Sequence, residues 1–142
     1  DGQTWEQSAG QGISGSPIQI AVHPTEANVV ALATEGGLSL SNDYGDTFTR
    51  VGQDAPITSA SFDPDGSQLF FGYQSLNVYN LENAGIDTLQ TPTVASNDAI
   101  GFIASNSVSD EIAFATYNKD IYLSADNGQS WEPIAQQGVG ES

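Results

Sequence analysis

Carboxylates dominate the chemistry that this sequence could perform. Its 142 residues hold 18 Asp and Glu against 2 Lys and Arg, a formal net charge of −16. A hydrolase of the two-carboxylate kind needs one carboxylic acid to protonate a leaving group and one carboxylate to attack or to activate water. Glu35 and Asp98 are the two carboxylates that could be placed for such work. In so acidic a chain a pair like this also arises by chance, so catalysis is not the leading expectation. His23 is the only histidine and sits before Pro24 in a turn, where no base–nucleophile pair can be built around it. There is no cysteine, which excludes thiol catalysis, disulfides and zinc–thiolate sites. The only basic residues are Arg50 and Lys119. Nucleic acid is excluded as a partner because phosphate must be met by Lys and Arg. Anionic membrane surfaces are disfavoured for the same reason.

No apolar run has transmembrane length, so no membrane insertion is expected. The acidity itself reads as solubility, in keeping with a salty or alkaline setting. Asp63-Pro64-Asp65-Gly66 has the look of a Ca²⁺ turn but lacks the further spaced ligands of a calcium loop, so a plain turn is expected. Asp43, Asp46 and Asp126 likewise read as turn locks. No cofactor is expected, Ca²⁺ being the one ion these carboxylates would suit.

The elements that position these residues follow a repeat. Ser41-Asn42-Asp43-Tyr44-Gly45-Asp46-Thr47-Phe48 recurs as Ser124-Ala125-Asp126-Asn127-Gly128-Gln129-Ser130-Trp131, and its tail opens the chain as Asp1-Gly2-Gln3-Thr4-Trp5. In the shared pattern, Ser-x-Asp-x-Gly-x-Ser/Thr-aromatic, Asp43 and Asp126 can accept backbone N–H groups a few residues on. Gly45 and Gly128 supply a positive φ. Phe48 and Trp131 then anchor the next strand.

Around the motif run short β-type segments. The first cycle is Ile18–Val22, Val29–Ala33, Leu38–Ser41 and Phe48–Val51. The second is Ile57–Phe62, Gln68–Gly72 and Leu76–Asn80, with a degenerate motif over Asn83–Leu89. The third is Ile100–Ala104, Ile112–Thr116, Ile121–Ser124 and Trp131–Gln136. Thr4–Ser8 reads as an orphan outer strand. Trp5 and Phe48 lie 43 residues apart, and Phe48 and Trp131 lie 83 apart, two further periods. A period of roughly 40–45 residues with four short strands predicts an all-β fold, a β-propeller of four-stranded antiparallel blades. A β-sandwich would also use many short strands, but not a fixed four-strand cycle with the same turn repeated.

About three blades are expected: an outer strand in 1–10, a blade in 17–53, a blade with the degenerate motif in 56–94 and a blade in 98–137. The chain holds no Met and opens inside a motif. Both features predict a processed or truncated piece of something longer; three blades are too few to close, so a partial propeller is expected, completed by missing blades or by a second copy.

The repeated pattern resembles the Asp-box, or BNR repeat, of sialidase-like and YVTN-like propellers. Ile112-Ala113-Phe114-Ala115-Thr116-Tyr117-Asn118-Lys119-Asp120-Ile121-Tyr122-Leu123-Ser124 is most similar to the last blades of secreted bacterial propellers described as glycosyl-hydrolase-like. The resemblance implies a secreted protein. It implies fold more strongly than activity. A sialidase would need an arginine cluster to grip the substrate carboxylate, and Arg50 alone cannot supply one.

In such a blade the motif turns lie on one end, and the links before the first strand and between the second and third lie on the other. Glu35, Tyr73, Gln74, Tyr117, Asn118, Lys119 and Asp120 fall on this second end, as does Asp98. Aromatic faces with amides and carboxylates suit a carbohydrate, while solvated loop residues would look much the same. The expected function is a non-catalytic binding or interaction scaffold with a glycan or protein ligand. The alternative is part of a glycoside-hydrolase-like enzyme whose site lies partly outside this chain.

Overall fold

A computed structural model describes residues 13, 15–52, 55–106 and 108–135. The orphan strand expected at Thr4–Ser8 lies outside the described residues. Among the described residues, twelve strands form three separate four-stranded sheets. The first contains β1 (Pro17–Val22), β2 (Val30–Thr34), β3 (Gly37–Ser41) and β4 (Thr49–Val51). The second contains β5 (Ser59–Phe62), β6 (Gln68–Gly72), β7 (Leu76–Asn80) and β8 (Ile86–Thr88). The third contains β9 (Ile100–Asn106), β10 (Glu111–Thr116), β11 (Ile121–Ser124) and β12 (Glu132–Ala135). Every sheet is an antiparallel meander in chain order. The described residues include no helix.

The sheets stack face on face because alternation leaves an apolar row on each side. Ala31, Ala33, Leu38 and Val51 of the first sheet bury against Ala60, Phe62, Leu69 and Phe71 of the second. Phe70 and Leu76, on the other side of the second sheet, bury against Ile100, Ile112 and Phe114 of the third. Trp131 and Tyr122 close this second core, with the Trp131 ring edge-on to Phe114 at 5.2 Å.

Polar clasps tie the sheets together at both ends. The Gln19 carbonyl accepts Ser59 Oγ at 2.9 Å and Ala60 N at 3.0 Å, while its amide donates to the Gly101 carbonyl at 3.3 Å. One side chain thus joins the inner strands β1, β5 and β9. Near the motif end, His23 Nδ1 accepts the backbone N–H groups of Thr25 and Glu26 at 3.1 and 3.0 Å. It therefore carries no proton, and Nε2 donates to the Gly66 carbonyl at 3.0 Å. The expected structural role of His23 is what its surroundings describe: it is buried and packs its ring on Phe62.

The turns explain where the repeat holds. Ser41 Oγ donates to Asp43 Oδ1 at 2.8 Å and accepts Gly45 N at 2.9 Å. Asp43 Oδ1 accepts Thr47 N at 2.9 Å, and Oδ2 accepts the Thr47 hydroxyl at 2.5 Å. Ser124, Asp126, Gly128 and Ser130 repeat this set at 2.8, 2.8, 2.8 and 2.6 Å. Gly45 and Gly128 take φ of 89° and 91°, the left-handed region that the turn needs.

The second sheet departs from the pattern. Residues 86–88, expected within the degenerate motif, form the strand β8. The turn before it is built on Asn80, whose Oδ1 accepts Glu82 N and Asn83 N at 2.9 and 3.2 Å. An Asx turn has replaced the Ser–Asp pair, which the spacing alone did not reveal.

Candidate functional site

The end of the stack opposite the motif turns is formed by the β2–β3, β6–β7 and β10–β11 turns and by the links into β5 and β9. Buried threonines shape two of these turns. Thr34 Oγ1 donates to the Gly37 carbonyl at 3.0 Å and accepts Gly36 N and Gly37 N at 3.0 and 3.1 Å. Thr116 Oγ1 accepts Asp120 N at 3.2 Å, and its carbonyl accepts Lys119 N at 3.0 Å. Lys119 takes a φ of 76° to make that turn. The recurrence of Thr at the close of β2 and β10 was the available sequence signal for both.

Six of the seven residues expected to bind are accounted for as surface groups. Glu35, Tyr73, Tyr117, Asn118 and Lys119 are exposed, and Asp120 is half-buried. Tyr117 is 54% exposed and Tyr73 36%. The Tyr117 ring lies over the backbone of Gly101, where a Cβ would stand 2.9 Å from Cε1. Only glycine lets the ring settle there, a cradle that the sequence did not disclose. Gln74 instead braces the backbone. Its amide donates to the carbonyls of Ala95 and Asp98 at 3.0 and 3.2 Å, fixing the link into β9.

Asp98 is buried, and its Oδ1 accepts Ala99 N at 2.8 Å and Asn118 N at 3.0 Å. Burial pushes its pKa up, but hydrogen bonds from Thr116, Ala99, Asn118 and Tyr117 outweigh this and hold it below the ordinary value. A carboxylate so held stays ionised and is a poor proton donor. Asp98→Ala strands buried N–H groups, and a loss of roughly 1–3 kcal/mol of stability is expected in chemical denaturation. Glu35 sits on the separate β2–β3 turn, exposed, with its own N–H bonded to the Ser16 carbonyl at 3.0 Å.

Two depressions lie elsewhere. A cleft of about 440 Å³ between the first two sheets is lined by Val51, Ile57, Phe71 and Ile86. A second, of about 260 Å³, gathers Asp63, Asp65, Asp110 and Glu111 near the motif end. Here Asp63 accepts Ser105 Oγ at 3.0 Å, and Asp65 accepts Ser67 N and Oγ at 3.0 and 2.7 Å. Burial raises the Asp63 pKa; hydrogen bonds from Ser67 lower that of Asp65. Among the described residues no three acidic or histidine side chains are grouped to hold a metal ion.

The sequence matches no family model, and no curated protein matches it. Solved structures do resemble it. The GH74 xyloglucanase from Xanthomonas campestris superposes with a TM-score of 0.65 at 15% identity, over 84% of this chain and 21% of that one. The WD40 repeats of RRP9 superpose with a TM-score of 0.70 at 13% identity, over 89% of this chain and 41% of theirs. This chain is part of a β-propeller. Its three sheets are three blades, and it spans less than half the length of either neighbour. At these identities the likeness speaks for fold alone.

Proposed function

We propose that this protein is a non-catalytic binding scaffold, a secreted propeller of the Asp-box type that takes a glycan on its loop end. One observation carries the reading: Tyr73 and Tyr117 present exposed aromatic surface on the end where Asn118, Lys119, Asp120 and Glu35 supply polar groups. An aromatic face offers apolar area to a sugar ring, and amides and carboxylates meet its hydroxyls. The Asp-box reading is supported by two turns with the same residue order and the same hydrogen bonds. Secretion rests on the family resemblance.

The test is a glycan array run beside a hydrolysis assay. Retention of a glycan, weakened at least roughly tenfold by Tyr117→Ala and without turnover, is the expected result. Absence of any retained glycan would count against the reading. The second reading, a piece of a glycoside-hydrolase-like enzyme, is favoured only by the fold of the xyloglucanase. It predicts turnover that Glu35→Gln abolishes. The backbone hydrogen bonds of Asp98 weigh against it.

A further inference from the structure

The two exposed tyrosines of the loop end hang on one piece of backbone. Ile100 N donates to the Tyr73 carbonyl at 2.7 Å, and Tyr117 N donates to the Ala99 carbonyl at 3.0 Å. The link into β9 thus runs between a tyrosine of the second blade and one of the third. It is held in turn by the first two blades. The Thr58 hydroxyl donates to the Ile100 carbonyl at 2.6 Å, and the Gln19 amide donates to the Gly101 carbonyl at 3.3 Å. A ring resting on backbone fixed in this way is placed before a ligand arrives, which lowers the ordering cost of binding.

Tyr117 rests there because Gly101 has no side chain. Where β9 pairs with β10, Ile100 faces Thr116 and Phe102 faces Ala115, so Gly101 is the extra residue of a bulge. The first blade is irregular at the same place: Pro17 faces Thr34, Gln19 faces Ala33, and Ile18 is left over. Glu35 follows Thr34 as Tyr117 follows Thr116. A bulky bulge residue thus accompanies the glutamate, and glycine accompanies the ring. A Cβ on Gly101 would stand 2.9 and 3.0 Å from Cε1 and Cδ1 of Tyr117, closer than carbon atoms pack. Gly101 does not take a positive φ, so alanine suits its backbone. The seated ring, and not the path of the chain, calls for glycine here.

We propose that the loop end takes a glycan free of acidic groups, stacked on a Tyr117 ring that Gly101 positions. The inference rests on the glycan reading above and adds to it a ligand class and a positioning residue. Charge sets the class. Of the two basic residues, Arg50 lies in β4 opposite Ser39, so Lys119 alone serves this end, next to Asp120 and with Glu35 on the first blade's turn. One ammonium lacks the guanidinium fork that grips a carboxylate. Net charge of −16 repels an anion before it arrives. An uncharged sugar ring meets neither obstacle and lays its apolar face on the aromatic one.

Calorimetric titration tests both parts, with neutral hexose hexamers of several linkages and hexagalacturonate as probes. The expected result is binding of a neutral hexamer and none of hexagalacturonate, at low and at high salt. Gly101→Ala is expected to raise the Kd roughly tenfold, close to the effect of Tyr117→Ala, and to add nothing in a chain that already carries Tyr117→Ala. Tyr117→Phe keeps the ring and is expected to keep the affinity. That variant and the comparison of probes do not depend on how Gly101→Ala folds. A Gly101→Ala chain that binds like the wild type, an effect that persists without the Tyr117 ring, loss of binding in Tyr117→Phe, or hexagalacturonate bound as tightly as a neutral hexamer would each overturn the proposal. Binding of no glycan of either kind would overturn the glycan reading itself, and this inference with it.

Discussion

Phe114→Ala is expected to lower the unfolding free energy by about 3–5 kcal/mol. The side chain is 1% exposed and stands between Ile100 and Ile112 with the rings of Tyr122 and Trp131 at 5.3 and 5.2 Å. Removing it leaves a cavity walled by two strands and two rings, which cannot collapse without breaking the β9–β10–β11 register. A domain holds only about 5–15 kcal/mol in all, so the loss takes a large share of the total. Phe114→Leu retains most of the volume and is expected to cost under about 1.5 kcal/mol. Urea titration of both variants checks the difference. Equal midpoints would show that the third blade is not packed through this ring.

Acid is expected to weaken the fold between about pH 4 and pH 2, through the two motif turns. Hydrogen bonds from the Thr47 hydroxyl and N–H, then from Ser41, lower the Asp43 pKa to about 2. The Ser130 hydroxyl and N–H, then Ser124, bring Asp126 to about 2. Unfolded, both carboxyls titrate near 3.8. Their contribution is therefore complete above that value and disappears as pH falls through about 2. Asp63 acts with the opposite sign, since its raised pKa favours the folded state on acidification. Relief of repulsion among 18 carboxylates also favours folding as pH falls. The comparison that isolates the turns is the wild-type chain against Asp43→Asn/Asp126→Asn at each pH, in salt high enough to screen the surface. The double variant is expected to be less stable at pH 7 and to show a flatter acid limb. A limb as steep as the wild type's would place the acid response elsewhere.

The candidate site divides in the same physical way. Its position at one end of the blades followed from alternation, because an antiparallel meander must put successive turns at opposite ends. The roles of individual residues there did not follow. Asp98 and Glu35 were equal candidates as carboxylates; only the fold shows Asp98 holding Ala99 and Asn118 while Glu35 faces solvent. Gln74 looked like a binding amide, yet it ties down the link into β9. Such assignments depend on which backbone groups arrive beside a side chain, and, Ala99 apart, these lie 20 to 24 residues away.

What the sequence determined by itself was whatever is local. Ser41–Thr47 and Ser124–Ser130 each carry the Ser, Asp, Gly and Ser/Thr groups that bond one another within seven residues, so pattern alone specified this part of the geometry and its spacing counted the blades; the Tyr44 and Asn127 N–H groups reach outside the motif, to the Asn28 and Asp110 carbonyls. The Asn80 turn escaped notice because a different side chain satisfies the same backbone. Tertiary structure alone decided the contacts between blades: Gln19 on Gly101 across 82 positions, His23 on Gly66 across 43, and the burial of Phe62 while Val22, its counterpart, stays bare. Strand alternation tells which residues share a face. Only the stacking of whole sheets tells which faces meet, because burial belongs to a pair of surfaces and not to either strand.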